Sequence, residues 1–299
     1  LLRDTTKTAR HFVNRQREIN LFLNMQQEST LYRILGIIEG GKRGKSYLLW
    51  HFQDYCKGHN IPVALIDFDP NRSGLSTYLQ VVKHICDALD LAGFERVRAC
   101  YDDYYRGRSF IHIETGNGVA GIEFGENIHF RESSLKNLAG RDHIYVDVRG
   151  AKFQEQVSAF HRQEKLQYDL GVALLEDLGE FCMRNQPVVI LIDTLENIPG
   201  DTWQWLDRWI LRYTVDKYRG LRIVLAGRHE SLKYLDVRRA WSDYLYLLKE
   251  MTEFTKNDVK QYLLSRGVTP TDTEIDIYHR LVAQNPMPVS YTHLRAHET

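Results

Sequence analysis

Short runs of apolar residues alternate along the chain with longer stretches whose apolar residues recur every three or four positions. The short runs, which are typical of strands, span 34–39, 62–68, 188–193, 221–226 and 244–249. The longer stretches, which are typical of helices, span 46–57, 75–92, 153–185 and 202–218. Most of the short runs are almost continuously apolar, which indicates strands buried on both faces of a parallel sheet. The alternation predicts a doubly wound α/β sheet with its ligand site at the carboxyl ends of the strands.

Residues from about 99 to 150 interrupt this alternation. They contain SFIHIETGNGVAGIEFGENIHF, in which short alternating runs are separated by Gly-Asn and Gly-Glu turn signals. This pattern predicts a small β-hairpin insertion. The tyrosine- and arginine-rich start of the segment, YDDYYRGR, fits a packing or interaction surface better than a platform for nucleic acid, because it also carries two aspartates.

Beyond residue 250 the pattern predicts two further helices. FTKNDVKQYLLSRGV has an N-cap at Thr255 and a glycine, Gly267, beyond its last apolar residue. TDTEIDIYHRLVAQNP begins a second helix that stops at Pro286. We therefore expect a first domain over 1–250, which contains the insertion, and the beginning of a helical lid over 251–288.

Composition and charge narrow the possible partners. The chain has 299 residues, and its 39 basic and 39 acidic side chains cancel. This neutrality argues against a nucleic acid or a membrane surface as the partner. No apolar run approaches the ~20 residues that a membrane-spanning helix needs. The cysteines have no CxxC spacing, which predicts reduced thiols in a cytoplasmic protein.

The segment EGGKRGKS, residues 39–46, joins the first predicted strand to the first predicted helix. It approximates the pattern GxxxxGK followed by Ser or Thr, in which backbone N–H groups surround phosphate, the lysine reaches the β/γ-phosphates and the hydroxyl binds Mg²⁺. Gly44, Lys45 and Ser46 match the last three positions, whereas Glu39 stands where the first glycine is expected. Because a carboxylate repels phosphate, we expect Glu39 to point away from the ligand or to weaken its binding.

Two later strands end in residues that suit phosphate chemistry. In PVVILIDTLEN the apolar run ends at Asp193, and Glu196 follows shortly after. An aspartate at a strand end beside a phosphate loop can hold Mg²⁺, and an acid beyond it can orient or deprotonate a water. Arg228 follows the fourth strand and can hydrogen-bond a terminal phosphate. Each of these residues alone also fits an ordinary solvated strand end.

A segment before the first strand completes the set of candidates. In HFVNRQREINLF, an apolar pair is followed by Arg15 and could surround the base side of a nucleotide. The candidate nucleotide-binding residues are Val13, Arg15, Gly40, Gly41, Lys42, Arg43, Gly44, Lys45, Ser46 and Tyr47. The candidate metal ligands are Ser46 and Asp193, and the candidate catalytic residues are Lys45, Glu196 and Arg228.

In this order the segments resemble the nucleotide-binding core of the bacterial STAND ATPases, AAA+-related P-loop NTPases with NACHT- or NB-ARC-like domains. HFVNRQREINLF resembles the family's FVGREREL-type motif, and EGGKRGKSYLL its Walker A motif. PVVILIDTLEN is similar to a Walker B form ending in DTxE, LRIVLAGR to the fourth-strand sensor motif, and LVAQNPMP to the GxP segment. The resemblance covers residues 11 to about 288, and Asn14, Glu39 and Gln284 depart from the family pattern.

The resemblance implies the strand order 5-1-4-3-2, a helical lid, and a switch between an ADP-bound monomer and an ATP-bound oligomer. It implies that Lys45 binds the β/γ-phosphates and that Ser46 and Asp193 hold Mg²⁺. Glu196 would act on the attacking water in slow ATP hydrolysis, and Arg228 would contact the γ-phosphate. Protein effector and sensor domains would lie outside this chain, and self-association would involve the nucleotide-binding domain.

Both ends of the chain bear on its extent. It opens with LLRDTTKTAR, without a methionine, and closes with VSYTHLRAHET at 289–299. The closing string resembles the translation of a transposase-type sequencing adapter, so we treat 289–299 as a non-native tail without a part in the fold. We expect the chain to be a piece of a longer protein.

Two other functions remain open at the level of the sequence. One is an AAA+-like ATPase that acts on DNA, as initiators and loaders do, for which salt-sensitive DNA binding would be the sign. The other is a degenerate P-loop domain that binds no nucleotide and serves as an interaction platform. Glu39 is the residue that favours this last alternative.

Overall fold

The computed structural model describes residues 15–41, 43–73, 75–89, 93–106, 111–115, 118–122, 148–184, 187–214, 217–235 and 240–284. Several expectations concern residues outside these ranges. They are those for Val13, Asn14, Lys42, the end of the lid segment with its Pro286, and the adapter-like tail 289–299.

The chain alternates between strands and helices, as its apolar pattern predicts. The strands are β1 (Ile34–Ile38), β2 (Val63–Asp67), β3 (Ile111–Thr115), β4 (Gly118–Ile122), β5 (Val188–Asp193), β6 (Leu221–Gly227) and β7 (Leu245–Leu248). The α-helices are α1 (Gln16–Met25), α2 (Lys45–Gly58), α3 (Tyr78–Leu89), α4 (Glu95–Arg106), α5 (Val148–Arg184), α6 (Gly200–Leu206), α7 (Lys256–Ser265) and α8 (Asp272–Gln284). The boundaries of β1, β2, β5, β6 and β7 therefore lie within one residue of the predicted ones, because apolar runs mark buried strands directly.

A five-stranded sheet with the order β2-β5-β6-β1-β7 forms the framework. Every neighbouring pair in it is parallel. Numbered by their order within this sheet alone, the strands run 5-1-4-3-2, so the predicted doubly wound sheet and the order implied by the resemblance are both confirmed. The carboxyl ends of β1, β2, β5 and β6 consequently meet at one edge, which is the edge where ligands bind in such sheets.

The main core lies between this sheet and the helices α1 and α2. All residues of β1, β5 and β6 are buried. Phe22 of α1 stacks on Phe52 of α2 with ring centroids 4.0 Å apart, and both side chains are fully buried. Full burial of an apolar side chain contributes about 1.5–3 kcal/mol, so this layer holds β1 and α2, and thus the loop between them, in place.

Residues Glu95–Leu174 form a compact unit of their own. It contains α4, the first part of α5 and an antiparallel hairpin in which Ile111 pairs with Ile122 and Thr115 with Gly118. The predicted hairpin is confirmed. The helix α4 was not predicted, because the turn signals of the following segment dominated the interpretation, although Glu95 in its first turn is favourable for a helix.

The segment after β7 forms the two predicted helices. Thr255 caps α7, since its hydroxyl accepts a hydrogen bond from the Asp258 N–H while the Asp258 carboxylate accepts one from the Thr255 N–H. Gly267 has φ +78°, a left-handed value that favours glycine at a helix end. Val259 and Leu263 of α7 form a small separate core with residues that include Tyr278 of α8.

One predicted helix is not a continuous α-helix in the structure. The stretch 202–218 is split into α6 and a π-helical segment, Asp207–Thr214. The change in winding begins at Asp207, whose carboxylate accepts a 2.7 Å hydrogen bond from the Trp241 indole N–H. Among the described residues, no helix combines the length and the apolar character that crossing a membrane requires.

Candidate functional site

The loop after β1 turns directly into α2. Gly44 precedes the first residue of α2 and has φ +86°, a conformation that a side chain would strain. Gly41 lies beside Arg228, because a Cβ built on Gly41 would be 3.6 Å from the Arg228 Nε. The loop therefore brings glycine backbone to the carboxyl edge of the sheet, close to the residue that follows β6.

Lys45 is folded into this loop. Its Nζ donates hydrogen bonds to the carbonyl oxygens of Glu39 at 2.8 Å and Gly40 at 2.7 Å. The side chain is buried, with 8% of its surface exposed. Burial lowers the pKa of Lys45 below its ordinary value, although the carboxylates of Glu196, Asp193 and Glu39 act against this shift. A cation held by two carbonyls, with no acidic group at ion-pair distance among the described residues, can exchange them for stronger acceptors such as phosphate oxygens.

Asp193 and Ser46 meet beside the lysine. The Ser46 side chain lies close enough to the Asp193 carboxyl to lower its pKa, and this carboxylate accepts the Thr194 N–H at 2.9 Å. Burial raises the pKa of Asp193 to about 6, and the nearby Asp67 carboxylate adds to the rise, while the Ser46 hydroxyl opposes it. A hydroxyl and a carboxylate close together provide two oxygen ligands of the kind that Mg²⁺ prefers.

A second acid at this edge was missed in the sequence analysis. Asp67, the last residue of β2, lies opposite Asp193 in the register of the sheet. Arg72 contacts it, with its Nη1 3.2 Å from Asp67 Oδ2 and 3.8 Å from Asp193 Oδ2, and its Nε 3.2 Å from Asp69 Oδ2. The signal was present, since PVALIDFDPNR ends its apolar run in an acid just as PVVILIDTLEN does.

Glu196 and Arg228 form an ion pair. The Glu196 Oε1 lies 2.9 Å from the Arg228 Nε, and the Glu196 Oε2 accepts the Arg228 N–H at 2.9 Å. Glu196 is mostly buried, with 15% of its side chain exposed, whereas 58% of the Arg228 side chain is exposed. The structure thus pairs Glu196, the candidate acid for water activation, with Arg228, the candidate sensor of the γ-phosphate. The sequence does not indicate this contact, because the two residues lie on different segments of the chain.

The Glu39 carboxylate is held by two backbone N–H groups. Its Oε1 accepts the Gly40 N–H at 2.7 Å, and its Oε2 accepts the Met251 N–H at 3.1 Å. Burial raises the pKa of the Glu39 carboxyl, but these two backbone hydrogen bonds, together with the charges of Arg43 and His229, hold the pKa below its usual value. The carboxylate therefore connects the loop to the beginning of the lid segment, with His229 Nε2 3.7 Å away.

The N-terminal candidate, Arg15, lies against the same region. It donates to the carbonyl oxygens of Arg43, at 2.8 Å, and of Thr252, and its guanidinium lies 4.6 Å from the centre of the Phe254 ring. Burial lowers its pKa, against the effect of Glu18. Arg15 therefore holds together the start of α1, the phosphate loop and the start of the lid segment.

Tyr47 is placed differently from the other candidates. Its ring packs edge to face on the Trp50 ring, with centroids 4.9 Å apart. Val13 and Lys42 lie outside the described residues. Gly40, Gly41, Arg43, Gly44, Lys45, Ser46, Asp193, Glu196 and Arg228 lie on the elements that meet at the carboxyl edge.

These residues fit a magnesium nucleotide by their chemistry. The loop offers backbone N–H groups at a helix N-terminus, which favours phosphate. Lys45 supplies a buried cation, and Ser46 with Asp193 supplies oxygen ligands. Gly40 and Gly44 leave open space, since a Cβ built on either meets nothing within 4 Å.

The curated proteins that the chain resembles match it over only part of their length. No family model matches the chain. It is 30% identical over 146 residues to the GTPase Der of Pseudomonas putida strain W619, and 29% identical over the same length to that of Pseudomonas entomophila strain L48. Each match takes 47% of this chain and 26% of the relative, so the chain spans about a quarter of the length of the curated relatives it matches.

Two solved structures are similar over most of the chain. Cdc6p from Pyrobaculum aerophilum has 14% identity and a TM-score of 0.45, covering 93% of this chain and 54% of its own. The Aeropyrum pernix Orc1 protein, solved in complex with DNA, has 11% identity and a TM-score of 0.42, covering 91% of this chain and 56% of its own.

The fold itself is decided by the chain's own architecture. A parallel sheet in the order 5-1-4-3-2, whose first strand runs through a glycine-rich loop into a helix that begins with Lys-Ser, is the fold of the P-loop NTPases.

Proposed function

We propose that this chain binds ATP and ADP together with Mg²⁺ and is the nucleotide-binding core of a signalling switch that hydrolyses ATP slowly. The observation that carries the proposal is the meeting of Lys45, the Ser46–Asp193 pair and the Glu196–Arg228 pair at one edge of the sheet. Each of these groups has a defined task in phosphoryl transfer.

Binding begins with an exchange of partners at Lys45. Its Nζ leaves the carbonyl oxygens of Glu39 and Gly40 and takes phosphate oxygens, which are charged and bind an ammonium more strongly. Ser46 and Asp193 would hold Mg²⁺, which in such sites neutralises charge on the β- and γ-phosphates. Asp193 must then be ionised, and a nearby cation favours that form.

The Glu196–Arg228 pair supports slow turnover. While Glu196 accepts both the Nε–H and the backbone N–H of Arg228, each carboxylate oxygen has one acceptor site occupied, and Arg228 rather than a water sets the orientation of the carboxylate. A γ-phosphate competes for the exposed Arg228 guanidinium, because Arg binds phosphate in a bidentate manner. Opening of the pair therefore links recognition of ATP to activation of water.

Glu39 and Arg15 support a nucleotide-dependent lid. Both connect the phosphate region to the first residues after β7, Glu39 through Met251 and Arg15 through Thr252. A ligand in the loop thus acts on the segment 251–288, which we propose as the start of a lid domain beyond a nucleotide-binding domain at 1–250. Self-association in the ATP state and effector and sensor domains outside this chain belong to the same proposal.

The test is nucleotide-dependent stability of the purified chain. We expect Mg·ATP and Mg·ADP at saturating concentration to raise Tm, since a ligand that binds only the folded state stabilises it. Lys45→Ala is expected to abolish the shift, whereas Lys57→Ala, an exposed lysine on the same helix, serves as the matched control. Absence of a shift with every nucleotide in the unmodified chain would contradict the proposal and favour the interaction platform.

Two further measurements identify the preferred base and test for DNA binding. GTP is measured beside ATP, because the similar proteins from Pseudomonas are named as GTPases. A larger rise in Tm with GTP would indicate that the chain prefers guanine to adenine. Duplex DNA is titrated at two salt concentrations, since binding that weakens steeply with salt would favour the DNA-acting alternative.

A further inference from the structure

A pocket lies at the amino edge of the sheet, opposite the edge that carries the phosphate loop. The cavity has a volume of about 660 Å³ and is lined by residues that follow α1 and by residues that immediately precede β1, β5, β6 and β7. Its lining includes Arg33, Arg219 and Arg222, together with the Tyr244 ring and a single acid, Glu28. Pockets of 300–1,000 Å³ are typical for small ligands.

Arg222 forms the buried part of this pocket, with 3% of its surface exposed. Its Nε and both Nη atoms donate to carbonyl oxygens, those of Met25, Gln27, Arg219 and Leu221. Within the described ranges no carboxylate lies at ion-pair distance from it. Burial lowers the pKa of Arg222, and the neighbouring Arg33 lowers it further, while Glu28 raises it. All of these hydrogen-bond partners of the Arg222 guanidinium are neutral carbonyl oxygens. Its positive charge therefore has no counter-ion among these partners.

Two more guanidinium groups add to this charge. Arg33 lies over the Tyr244 ring, with its Cζ 4.7 Å from the ring centre. Arg219 is exposed, and its guanidinium makes no hydrogen bond or ion pair with a side chain in the described part of the chain. Three arginines against one glutamate in a single pocket produce a positive potential that attracts an anion.

We propose that this pocket binds a small organic phosphate, at a site separate from the phosphate loop. Its phosphate group lies between Arg33 and Arg219 over the charge of Arg222, and a ring of the ligand packs beside Tyr244. Phosphate is preferred to a carboxylate because its two negative charges match the excess of positive charge in the pocket, and because guanidinium groups bind its oxygens in pairs.

The experiment uses phenyl phosphate as the probe and isothermal titration calorimetry as the readout. It is carried out in the Lys45→Ala chain, so that binding at the phosphate loop does not contribute. We expect saturable binding that Arg219→Ala weakens at least about tenfold, the size expected for loss of a charge-assisted hydrogen bond. Arg219 is exposed, so this substitution leaves the fold intact.

Matched controls decide the interpretation. Arg266→Ala removes an exposed arginine from the end of α7 and is expected to leave the affinity unchanged. Inorganic phosphate is expected to bind more weakly than phenyl phosphate. The proposal is overturned if phenyl phosphate does not bind the Lys45→Ala chain, or if Arg219→Ala and Arg266→Ala bind it equally well.

Discussion

The two edges of the parallel sheet carry their charges in opposite arrangements. At the carboxyl edge two arginines already have anionic partners, since Arg228 is paired with Glu196 and Arg72 with Asp67. At the amino edge Arg222 is held by carbonyl oxygens alone within the described residues. A ligand at the first edge must therefore exchange existing contacts, whereas an anion at the second edge has no ion pair of Arg222 to break.

This difference separates two uses of a charged side chain. Paired groups at the carboxyl edge can respond to a ligand by changing partners, which is what a switch requires. The carbonyl-bound Arg222 cannot move without leaving buried oxygens unsatisfied, so it supplies a fixed potential.

Arg222→Leu is expected to lower the free energy of unfolding by about 3 kcal/mol or more, because buried carbonyl oxygens of several segments lose their donor. Urea denaturation measures this change. Arg219→Leu, the exposed neighbour in the same pocket, is expected to change stability by less than about 0.5 kcal/mol. Equal losses of stability in the two variants would contradict the conclusion that the hydrogen bonds of Arg222 hold it in a fixed position.

Asp193→Asn is expected to stabilise the nucleotide-free chain near neutral pH. Since the folded-state pKa is raised from 3.8 to about 6, the folded state binds a proton more tightly than the unfolded state. The wild type therefore loses stability as pH rises from about 4 through 6, by at most about 3 kcal/mol for a shift of this size. The amide variant does not undergo this loss.

Urea denaturation of both chains between pH 4 and pH 8 measures the difference. The advantage of Asp193→Asn should be absent at the acid end and largest above pH 6. A difference that is the same at every pH would contradict the role of the buried charge. The same variant is expected to lose stabilisation by Mg·ATP, because it lacks the carboxylate that would hold the ion.

Glu196→Gln is expected to slow ATP hydrolysis about 100-fold, in the range of general base catalysis, while ATP affinity is kept or increased because Arg228 is released for phosphate. Phosphate release in single turnovers measures the rate. Glu230→Gln, an exposed acid near Arg228, is the control. Slowing of the same size in both variants would remove Glu196 from the mechanism.

Glu39→Gly is expected to lower stability by about 1 kcal/mol, because the Gly40 and Met251 N–H groups lose their acceptor. Nucleotide affinity should stay within about threefold, since two backbone N–H groups already hold the carboxylate. Calorimetry with Mg·ADP decides this point. An increase of affinity by tenfold or more would show that Glu39 opposes phosphate after all.

The sequence predicted the framework well and the contacts at the site poorly. The strands β1, β5 and β6 were predicted within one residue, because continuous burial leaves a continuous apolar run. Arg72 was missed since nothing local links it to Asp193, 121 positions later in the chain. The nucleotide-binding role of the candidate residues stays a prediction until ligand binding is measured.

By itself the sequence determined the parallel sheet, the strand–loop–helix at Lys45 and the acid at the end of β5, because burial and helix initiation depend on neighbouring residues. Only the tertiary structure decided that Glu39 turns toward Met251, that Glu196 holds Arg228, and that arginines before different strands share one pocket. These arrangements depend on which segments the sheet order brings together, and pairings across such distances leave no periodic pattern in the chain.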